Sequence, residues 1–276
     1  MIVDLLDGTY ELFRHYYGLQ RRNLPAAPLG AVTSLLRMIL QMIEGESTHI
    51  GVATDHIIES FRNSLWAGYK TGAGIDPALV AQFHPLEDAL SALGVAVWPM
   101  IELEADDALA SAAYLAVRDA RVETVKIWTP DKDLAQCVDG DRVVQIDRRS
   151  GEVRNDDAIR KKYGVSPSHI PDYLALAGDS ADGYPGVPKI GVKTAARLVN
   201  QYGHIEEFPA AVLGDNLENA LLFKKLATLR TDAPLFSNVD ELRWSGARPE
   251  FAAWVERLGD ARLVDRANSA KQKLRD

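Results

Sequence analysis

The sequence contains little cysteine, with Cys137 as the single one among 276 residues. One cysteine excludes an internal disulfide and any cysteine-based zinc site, and we expect it to be a small buried side chain. There is no run of about 18 apolar residues, so no membrane-spanning helix is predicted. The N-terminus also lacks the basic-then-apolar pattern of a signal peptide. These absences favour a cytoplasmic protein that acts away from membranes.

Positive charge is also in short supply, since the formal net charge is −8. This balance argues mildly against a simple surface for binding polyanions. Acids gathered around a metal ion would be neutralised locally, however, and basic residues could still cluster elsewhere. The six histidines show no metal-ligand spacing. Any metal site should therefore be built from carboxylates.

The stretch Ile101 to Leu115, IELEADDALASAAYL, concentrates such carboxylates. Glu104, Asp106 and Asp107 stand where a run of strong helix formers begins. Acids offset the positive end of a helix dipole, which is a sufficient structural explanation for one acid. Three acids in four residues repel one another. A divalent cation would relieve that repulsion, and ligands that offer only oxygen suit Mg²⁺ or Mn²⁺.

Apolar runs alternate with helical patterns as far as residue 150, which predicts an α/β domain with a mostly parallel sheet. Asp7, Asp55 and Asp131 each follow a predicted strand. Each could simply cap the next helix. In such sheets, however, ligands bind beyond the carboxyl ends of the strands, so we favour a common metal site. The predicted strands are Met1–Leu6, His49–Thr54, Val95–Trp98, Thr124–Trp128 and Arg142–Ile146, and other predicted elements are a loop at Asn23–Pro28 and helices at Ala31–Ile43, Phe61–Tyr69 and Ala78–Leu93.

After about Gly151 the pattern becomes helical, which predicts two domains, residues 1–152 and 153–276. The segment 178–194, GDSADGYPGVPKIGVKT, adds Asp179 and Asp182 to a Gly-Pro hairpin between two helices. Backbone N–H groups at such a turn and helix start can hold a phosphate. The alternative is an ordinary helix–turn–helix packing unit. We expect the helices after Gly203 to pack on this second domain.

Two short motifs are misleading. GVPKIGVKT resembles a phosphate-binding loop of nucleotidases, but Val192 separates Gly191 from Lys193, where the motif needs them adjacent. LLDGT resembles the start of the haloacid-dehalogenase phosphatases, but Leu5 takes the place of the nucleophilic carboxylate. The first motif is rejected, and a small-molecule phosphatase remains only a weak alternative.

Together, the motifs LLDG, TDxxxxxFR, YK, EADD, TPDKDL and GDSADGYPGVPKIGVKTAARL resemble the 5′-nuclease family. This family includes flap endonucleases and the 5′–3′ exonuclease domains of bacterial DNA polymerase I with their free-standing relatives. The resemblance covers Met1 to Gly203. It implies a PIN-like α/β nuclease domain followed by a helix–three-turn–helix module, at about 168–202, that grips duplex DNA. It further implies a cytoplasmic, nucleoid-associated monomer without nucleotide cofactor that hydrolyses DNA at 5′ ends, nicks or flaps.

The resemblance also implies roles for particular residues. Arg62 and Lys70 match basic residues near the scissile phosphate and, with Asp106, form the predicted catalytic set, although a solvated helix face is the usual fate of such cations. Two metal ions about 4 Å apart can activate water and stabilise the developing charges. The metal ligands implied are Asp7, Asp55, Glu104 and Asp106 with Asp107 beside them, and Asp131, Asp133, Asp179 and Asp182. The DNA-binding residues implied are Gly186, Lys189, Gly191, Lys193, Thr194 and Arg197, in a hairpin that binds K⁺ in the family.

The sequence departs from the family pattern at several positions. Ala73 stands where an arginine is often found, and the loop Thr71–Pro85 contains no lysine or arginine. Val192 replaces a common acid. Gly183 replaces a common asparagine, which we expect to weaken a helix cap or contacts around the second metal group. These departures leave open a second hypothesis, a catalytically weak or inactive protein that binds DNA structures.

Overall fold

The computed structural model describes residues 1–21, 27–45 and 47–273, so most of the predicted loop at Asn23–Pro28 lies outside the described residues. The strands are β1 Ile2–Asp7, β2 His49–Asp55, β3 Ala96–Met100, β4 Thr124–Trp128, β5 Val143–Asp147 and β6 Glu152–Arg154. The helices are α1 Gly8–Arg21, α2 Gly30–Glu44, α3 Phe61–Leu65, α4 Pro77–Val80, α5 Phe83–Leu93, α6 Ala105–Ala116, α7 Asp156–Tyr163, α8 Ile170–Ala177, α9 Val192–Tyr202, α10 Ala210–Leu213, α11 Leu217–Ala227, α12 Phe251–Leu258 and α13 Arg262–Lys273.

The six strands form one sheet in the order β3-β2-β1-β4-β5-β6. The first five strands of the chain run parallel, and β6 is antiparallel to β5. β1 lies inside the sheet, and its Val3, Leu5 and Leu6 are buried, as expected for a parallel strand covered on both faces. The prediction of an α/β domain with a mostly parallel sheet is confirmed. The carboxyl ends of β2, β1 and β4 are neighbours at one edge, which places the acids that follow them together.

Helices cover both faces of the sheet. One apolar core joins α1, α2 and α5 to the sheet, and a second joins α6 to the opposite face. Trp244, which is 1% exposed, belongs to the first of these cores and donates from its indole N–H to the Leu93 carbonyl at 2.8 Å. No described helix is long and apolar enough to cross a membrane.

The last helices return to the first domain. α13 packs on α2 and α12 on α5, and ion pairs join Arg37 to Asp260 at 2.6 Å and Arg266 to Glu44 at 2.7 Å. The expectation that everything after Gly203 packs on the second domain is therefore wrong for α12 and α13. The physical reason is that the apolar residues of α12 and α13 complete the core that contains α2 and α5; these residues are Phe251, Val255, Leu263, Ala267 and Ala270. The predicted division between residues 152 and 153 falls inside β6.

A third apolar core belongs to the helical part of the chain, where α8, α9 and α11 pack around Leu174, Tyr184 and Phe223. Helix α8 is joined to α9 through the Gly-Pro hairpin. Helix α8, the hairpin and α9 together span residues 170–202.

Several predicted elements differ in extent. The predicted helix Phe61–Tyr69 ends at Leu65, and a turn leads from Trp66 to Lys70. The predicted helix Ala78–Leu93 is divided into α4 and α5 at Ala81 and Gln82, where the Gln82 side chain accepts a hydrogen bond from the Ala31 N–H at 3.1 Å. Cys137 is half-buried rather than buried.

Candidate metal centre

The first group of carboxylates lies at the ends of β1 and β2. Asp7 accepts hydrogen bonds from the Tyr10 N–H at 2.8 Å and from Thr129 Oγ1 at 3.0 Å. Asp55 accepts one from the Ala105 N–H at 2.8 Å, at the start of α6. The sheet therefore directs both carboxylates toward the helix that carries the acid cluster.

Burial perturbs these acids strongly. Burial raises the pKa of Asp7 to about 7, against the hydrogen bond from Tyr10, and the negative charges of Asp55 and Asp131 add to the shift. Burial likewise raises the pKa of Asp55 to about 6, against its hydrogen bond from the Ala105 N–H. Burial, with the charges of Asp131 and Asp7, raises the pKa of Asp106 well above its usual range. A bound cation would favour the ionised forms.

Glu104 precedes α6 and is held in place by cations. Its Oε1 accepts from Ser60 Oγ at 2.7 Å and from Arg62 Nη1 at 3.0 Å, and its Oε2 lies 2.7 Å from Lys70 Nζ. Burial raises the pKa of Glu104, but the positive charges of Lys70 and Arg62 together outweigh burial, so the pKa lies below its usual value. Glu104 is thus an ionised carboxylate even where its neighbours favour protons.

The contacts of Asp107 lie within the fold, which corrects its predicted place beside the metal ligands. It is fully buried, and its Oδ1 accepts from Arg62 Nη2 at 2.7 Å and the Arg230 N–H at 2.9 Å. Its Oδ2 accepts from Arg62 Nη1 at 2.7 Å and the Glu104 N–H at 2.9 Å. Both oxygens are occupied within the fold.

The predicted catalytic contact of Arg62 is contradicted in the same way. Arg62 is 1% exposed, and beyond Glu104 and Asp107 it donates to the carbonyls of Leu226 at 2.7 Å and Thr228 at 3.2 Å. An arginine has five N–H donors, and these contacts use all five. Arg62 is neither a solvated side chain nor free to bind a phosphate, and it instead joins the start of α6 to the end of α11.

The second group contains Asp133, Asp179 and Asp182, which are all buried. Each offers a carboxylate oxygen, and the three oxygens lie within 4.8 Å of one another. Asp133 Oδ1 is buried without a hydrogen-bond partner among the described residues. Burial, with the charges of Asp131 and Asp182, raises the pKa of Asp133 well above its usual range. An unpartnered oxygen among convergent carboxylates suits a hard divalent cation.

Asp131 connects the two groups. It follows β4, is exposed, and its Oδ1 accepts from the Asp133 N–H at 2.9 Å. Its charge acts on Asp7 and Asp106 in the first group and on Asp133 in the second. Each of the nine predicted ligands except Asp107 interacts through its charge with at least one other of these eight acids, which are together called the metal edge.

Two lysines lie at the metal edge. Lys70 Nζ is 2.7 Å from Glu104 Oε2 and 3.0 Å from Asp182 Oδ1, so it links the two groups. Lys132 Nζ is 2.5 Å from Asp179 Oδ2. Lys132 is not among the predicted site residues, although its position between Asp131 and Asp133 is a signal for such a role. Thr129, which orients Asp7, carried no such signal.

The Gly-Pro hairpin has a backbone that requires glycine. Gly178 and Gly186 have φ of +84° and +71°, and a Cβ on Gly186 would lie 2.4 Å from the Gly178 nitrogen. Beyond the hairpin, α9 begins after Gly191, with Thr194 half-buried in its first turn. The side chains of Lys189, Lys193 and Arg197 are exposed.

Gly183 joins the hairpin to the turn that carries Lys70. Its φ is +85°, and a Cβ there would lie 2.0 Å from the Gly68 carbonyl oxygen. The Gly183 carbonyl accepts from Trp66 Nε1 at 3.0 Å, and the Lys70 N–H donates to the Asp182 carbonyl at 3.0 Å. The expectation that Gly183 weakens this region is wrong, because only glycine permits the close approach.

A parallel sheet with an acidic edge, followed by a helix–hairpin–helix unit that contributes further acids, defines the class of metal-dependent nucleases with a PIN-like domain. Two family profiles match the chain. They are the N-terminal resolvase-like domain of 5′–3′ exonuclease at residues 3–164 and its C-terminal SAM-fold domain at residues 165–250. The chain belongs to the 5′–3′ exonuclease family, whose function is metal-dependent hydrolysis of DNA.

Relatives of two lengths are similar to this chain. The 5′–3′ exonuclease of Aquifex aeolicus is 32% identical over 277 residues, which cover 94% of this chain and 91% of that protein. DNA polymerase I of Bacillus caldotenax is 31% identical over 285 residues, but these cover 96% of this chain and 32% of that protein. The chain thus spans about a third of the polymerase relatives and most of the free-standing exonucleases.

Solved structures confirm the fold. The T5 5′-exonuclease with bound zinc ions has a TM-score of 0.67 at 16% identity, with both chains covered completely. Flap endonuclease-1 from Methanococcus jannaschii has a TM-score of 0.60 at 15% identity, covering 99% of this chain and 93% of that one. The catalytic core of Rad2 in complex with DNA substrate has a TM-score of 0.60 at 11% identity, covering 97% and 90%.

Proposed function

We propose that this chain is a structure-specific nuclease that cuts DNA at 5′ ends, nicks or flaps with two divalent ions, Mg²⁺ or Mn²⁺. The observation that carries the proposal is the metal edge. Asp7, Asp55, Asp106 and Asp133 all have a raised pKa that a bound cation would lower. Ligands that offer only oxygen match the preference of Mg²⁺ and Mn²⁺.

When bound, two such ions supply an activated water and stabilise charge on the phosphate and the leaving oxygen. The first ion would be held by Asp7, Asp55, Glu104 and Asp106, and the second by Asp131, Asp133, Asp179 and Asp182. Thr129 and the Tyr10 N–H fix the orientation of Asp7 through the two hydrogen bonds already described.

Lys70 is the cation that we assign to the scissile phosphate. Its ammonium lies between the two groups and about one third of its side chain is exposed, so an incoming phosphate can reach it. A positive charge fixed there stabilises charge that develops in the transition state. Arg62 acts one layer behind, where it keeps Glu104 and Asp107 in place.

For duplex binding we assign the hairpin and the first turns of α9. Lys189, Lys193 and Arg197 are exposed and would release counterions from the phosphates on binding. Gly191 lies in open space at the start of α9, half-buried Thr194 follows in the first turn, and Gly186 supports the hairpin from within. We also propose K⁺ at the hairpin carbonyls. Binding should accordingly weaken steeply as salt increases.

A second basic surface supports a branched substrate. An open groove of about 900 Å³ lies between α1, α2, α13 and the turn after β5. Among the described residues, Arg148 and Arg149 on its rim have no carboxylate within 4.0 Å. The arginines that line the groove are Arg14, Arg37, Arg148, Arg149 and Arg266. Carboxylates pair with Arg14, Arg37 and Arg266. The uncompensated positive charge that suits a second duplex arm, in a chain of net charge −8, is therefore that of Arg148 and Arg149.

The segment Thr71–Pro85 favours a second candidate, a DNA-structure binder with little activity. It is predicted as a loop but contains α4 and the first residues of α5. The segment carries no lysine or arginine, and its Asp76 accepts from Tyr16 Oη at 2.7 Å. A loop with acidic rather than basic character would guide a 5′ strand poorly. The acids of the metal edge argue against this candidate, because a binder gains nothing from buried carboxylates.

The test is cleavage of a 5′-flap duplex, labelled at either end, with Mg²⁺. Wild-type protein is compared with Asp106→Asn and with Asp88→Asn, a control that removes an exposed acid of α5. Cutting near the junction that only Asp106→Asn loses is the expected result. Tight binding in EDTA without cutting after Mg²⁺ addition would favour the second candidate.

Gel filtration with light scattering tests the proposed monomer, and cell fractionation tests the proposed cytoplasmic, nucleoid-associated location.

A further inference from the structure

Lys132 contacts a carboxylate oxygen that a metal ion would need. It lies in the turn after β4, and its ammonium is 2.5 Å from Asp179 Oδ2. Asp179 is 3% exposed, whereas the Lys132 side chain is 34% exposed. The carboxylate is therefore fixed, and the lysine has room to rotate away from it.

The two oxygens of Asp179 have different duties. Oδ1 accepts from the Ala181 N–H at 2.9 Å and so closes the turn that opens the hairpin. Oδ2 takes no part in this turn and instead forms the ion pair with Lys132. Asp182 differs, because Lys70 contacts only its Oδ1. Among the described residues, Asp133 likewise keeps Oδ1 without a partner.

We infer that Lys132 is the internal counter-ion of the second group, and that its ammonium and a divalent cation exclude each other at Asp179 Oδ2. This inference rests on the proposed metal function of the second group. Both cations seek the same oxygen, and they repel each other at short distance. Loading of the second site therefore requires Lys132 to rotate away, which lowers the affinity of that site.

The experiment measures Mn²⁺ binding to metal-free protein by the electron paramagnetic resonance signal of free Mn²⁺. Lys132→Met should tighten the weaker site about tenfold or more, because a neighbouring positive charge is lost. Lys132→Arg keeps the charge and should bind as the wild type does. Lys126→Met is the matched control, since it removes a lysine from β4 that forms no ion pair within 4.0 Å among the described residues.

A second measurement follows Lys132 in the wild-type protein. Its acylation by an amine-reactive reagent, measured by mass spectrometry, should rise several-fold when Mg²⁺ is added, while that of Lys126 stays constant. Unchanged Mn²⁺ affinity in Lys132→Met, or acylation that does not rise, would overturn the inference alone. Absence of Mn²⁺ binding by every variant would overturn the proposed metal function and the inference with it.

Discussion

Replacement of Arg62 by leucine tests whether this arginine is structural, as its contacts indicate, or catalytic, as the motif pattern implies. The change removes five buried N–H donors and leaves Asp107 and Glu104 without their buried cation. Both carboxylates are less than 5% exposed, so water cannot take the place of the guanidinium.

The expected loss follows from that burial. Removal of one partner of a buried ion pair costs about 3–5 kcal/mol of unfolding free energy, and urea denaturation followed by circular dichroism measures it. The control is Arg243→Leu, where an exposed arginine is lost and the change should stay within about 0.5 kcal/mol. The double variant Arg62→Leu/Asp107→Leu should lose less than the sum of the two single variants, because the uncompensated charge is gone.

One outcome would refute this reasoning. If Arg62→Leu unfolds at the wild-type urea concentration but loses cleavage of the flap substrate, Arg62 acts on the phosphate and not on the fold. Mn²⁺ binding in the same variant separates loss of the metal groups from loss of the phosphate contact.

Three further predictions concern charge and backbone. Without metal, native Asp7 has a pKa of about 7 against 3.8 in the unfolded chain. The free energy of unfolding should therefore fall by up to about 4 kcal/mol as pH rises from 4 to 7, and Mn²⁺ should restore it at high pH. Urea midpoints in EDTA that do not fall over this range would contradict this prediction. Gly183→Ala should lower the free energy of unfolding, measured by urea denaturation, by about 2 kcal/mol or more, because its Cβ meets the Gly68 carbonyl. The control Gly74→Ala, at φ +86° in open space, should lower it by about 1 kcal/mol. Equal losses would show that contact with Gly68 is unimportant. Lys193→Ala should weaken duplex binding in fluorescence anisotropy and reduce the salt slope by about one, with Mn²⁺ affinity unchanged; an unaltered slope would remove Lys193 from the interface.

The approach of the first acids of the metal edge to one another could be predicted from the sequence, because parallel strands end at the same edge of the sheet. Asp7, Asp55 and Asp131 each follow an apolar run, and parallel strands bring such positions to one edge. Asp179 and Asp182 lie more than 40 residues further along the chain, in the helical module. Their placement at the same edge followed from the family resemblance and not from periodicity.

The roles of Arg62 and Gly183 could not be predicted in this way. The local sequence predicts that a single arginine in a short helix is solvated. Arg62 is buried instead because it contacts the end of α11, more than 150 residues later in the chain. The need for glycine at 183 arises from a backbone contact with Gly68, which no local pattern reports. Pattern and motif indicate which residues gather, whereas side-chain direction is fixed by packing partners that are distant in the sequence.

The return of α12 and α13 to the first domain has a consequence for the order of folding. Contacts such as Arg37 with Asp260 join residues separated by 223 positions, and such distant contacts form late because the loop between them must close first. During synthesis, the apolar surfaces of α2 and α5 stay uncovered until α12 and α13 have left the ribosome. The helical module, whose contacts are local, can fold before them. We therefore expect nascent chains that stop before residue 244 to be captured by chaperones, although they already contain every carboxylate of the metal edge.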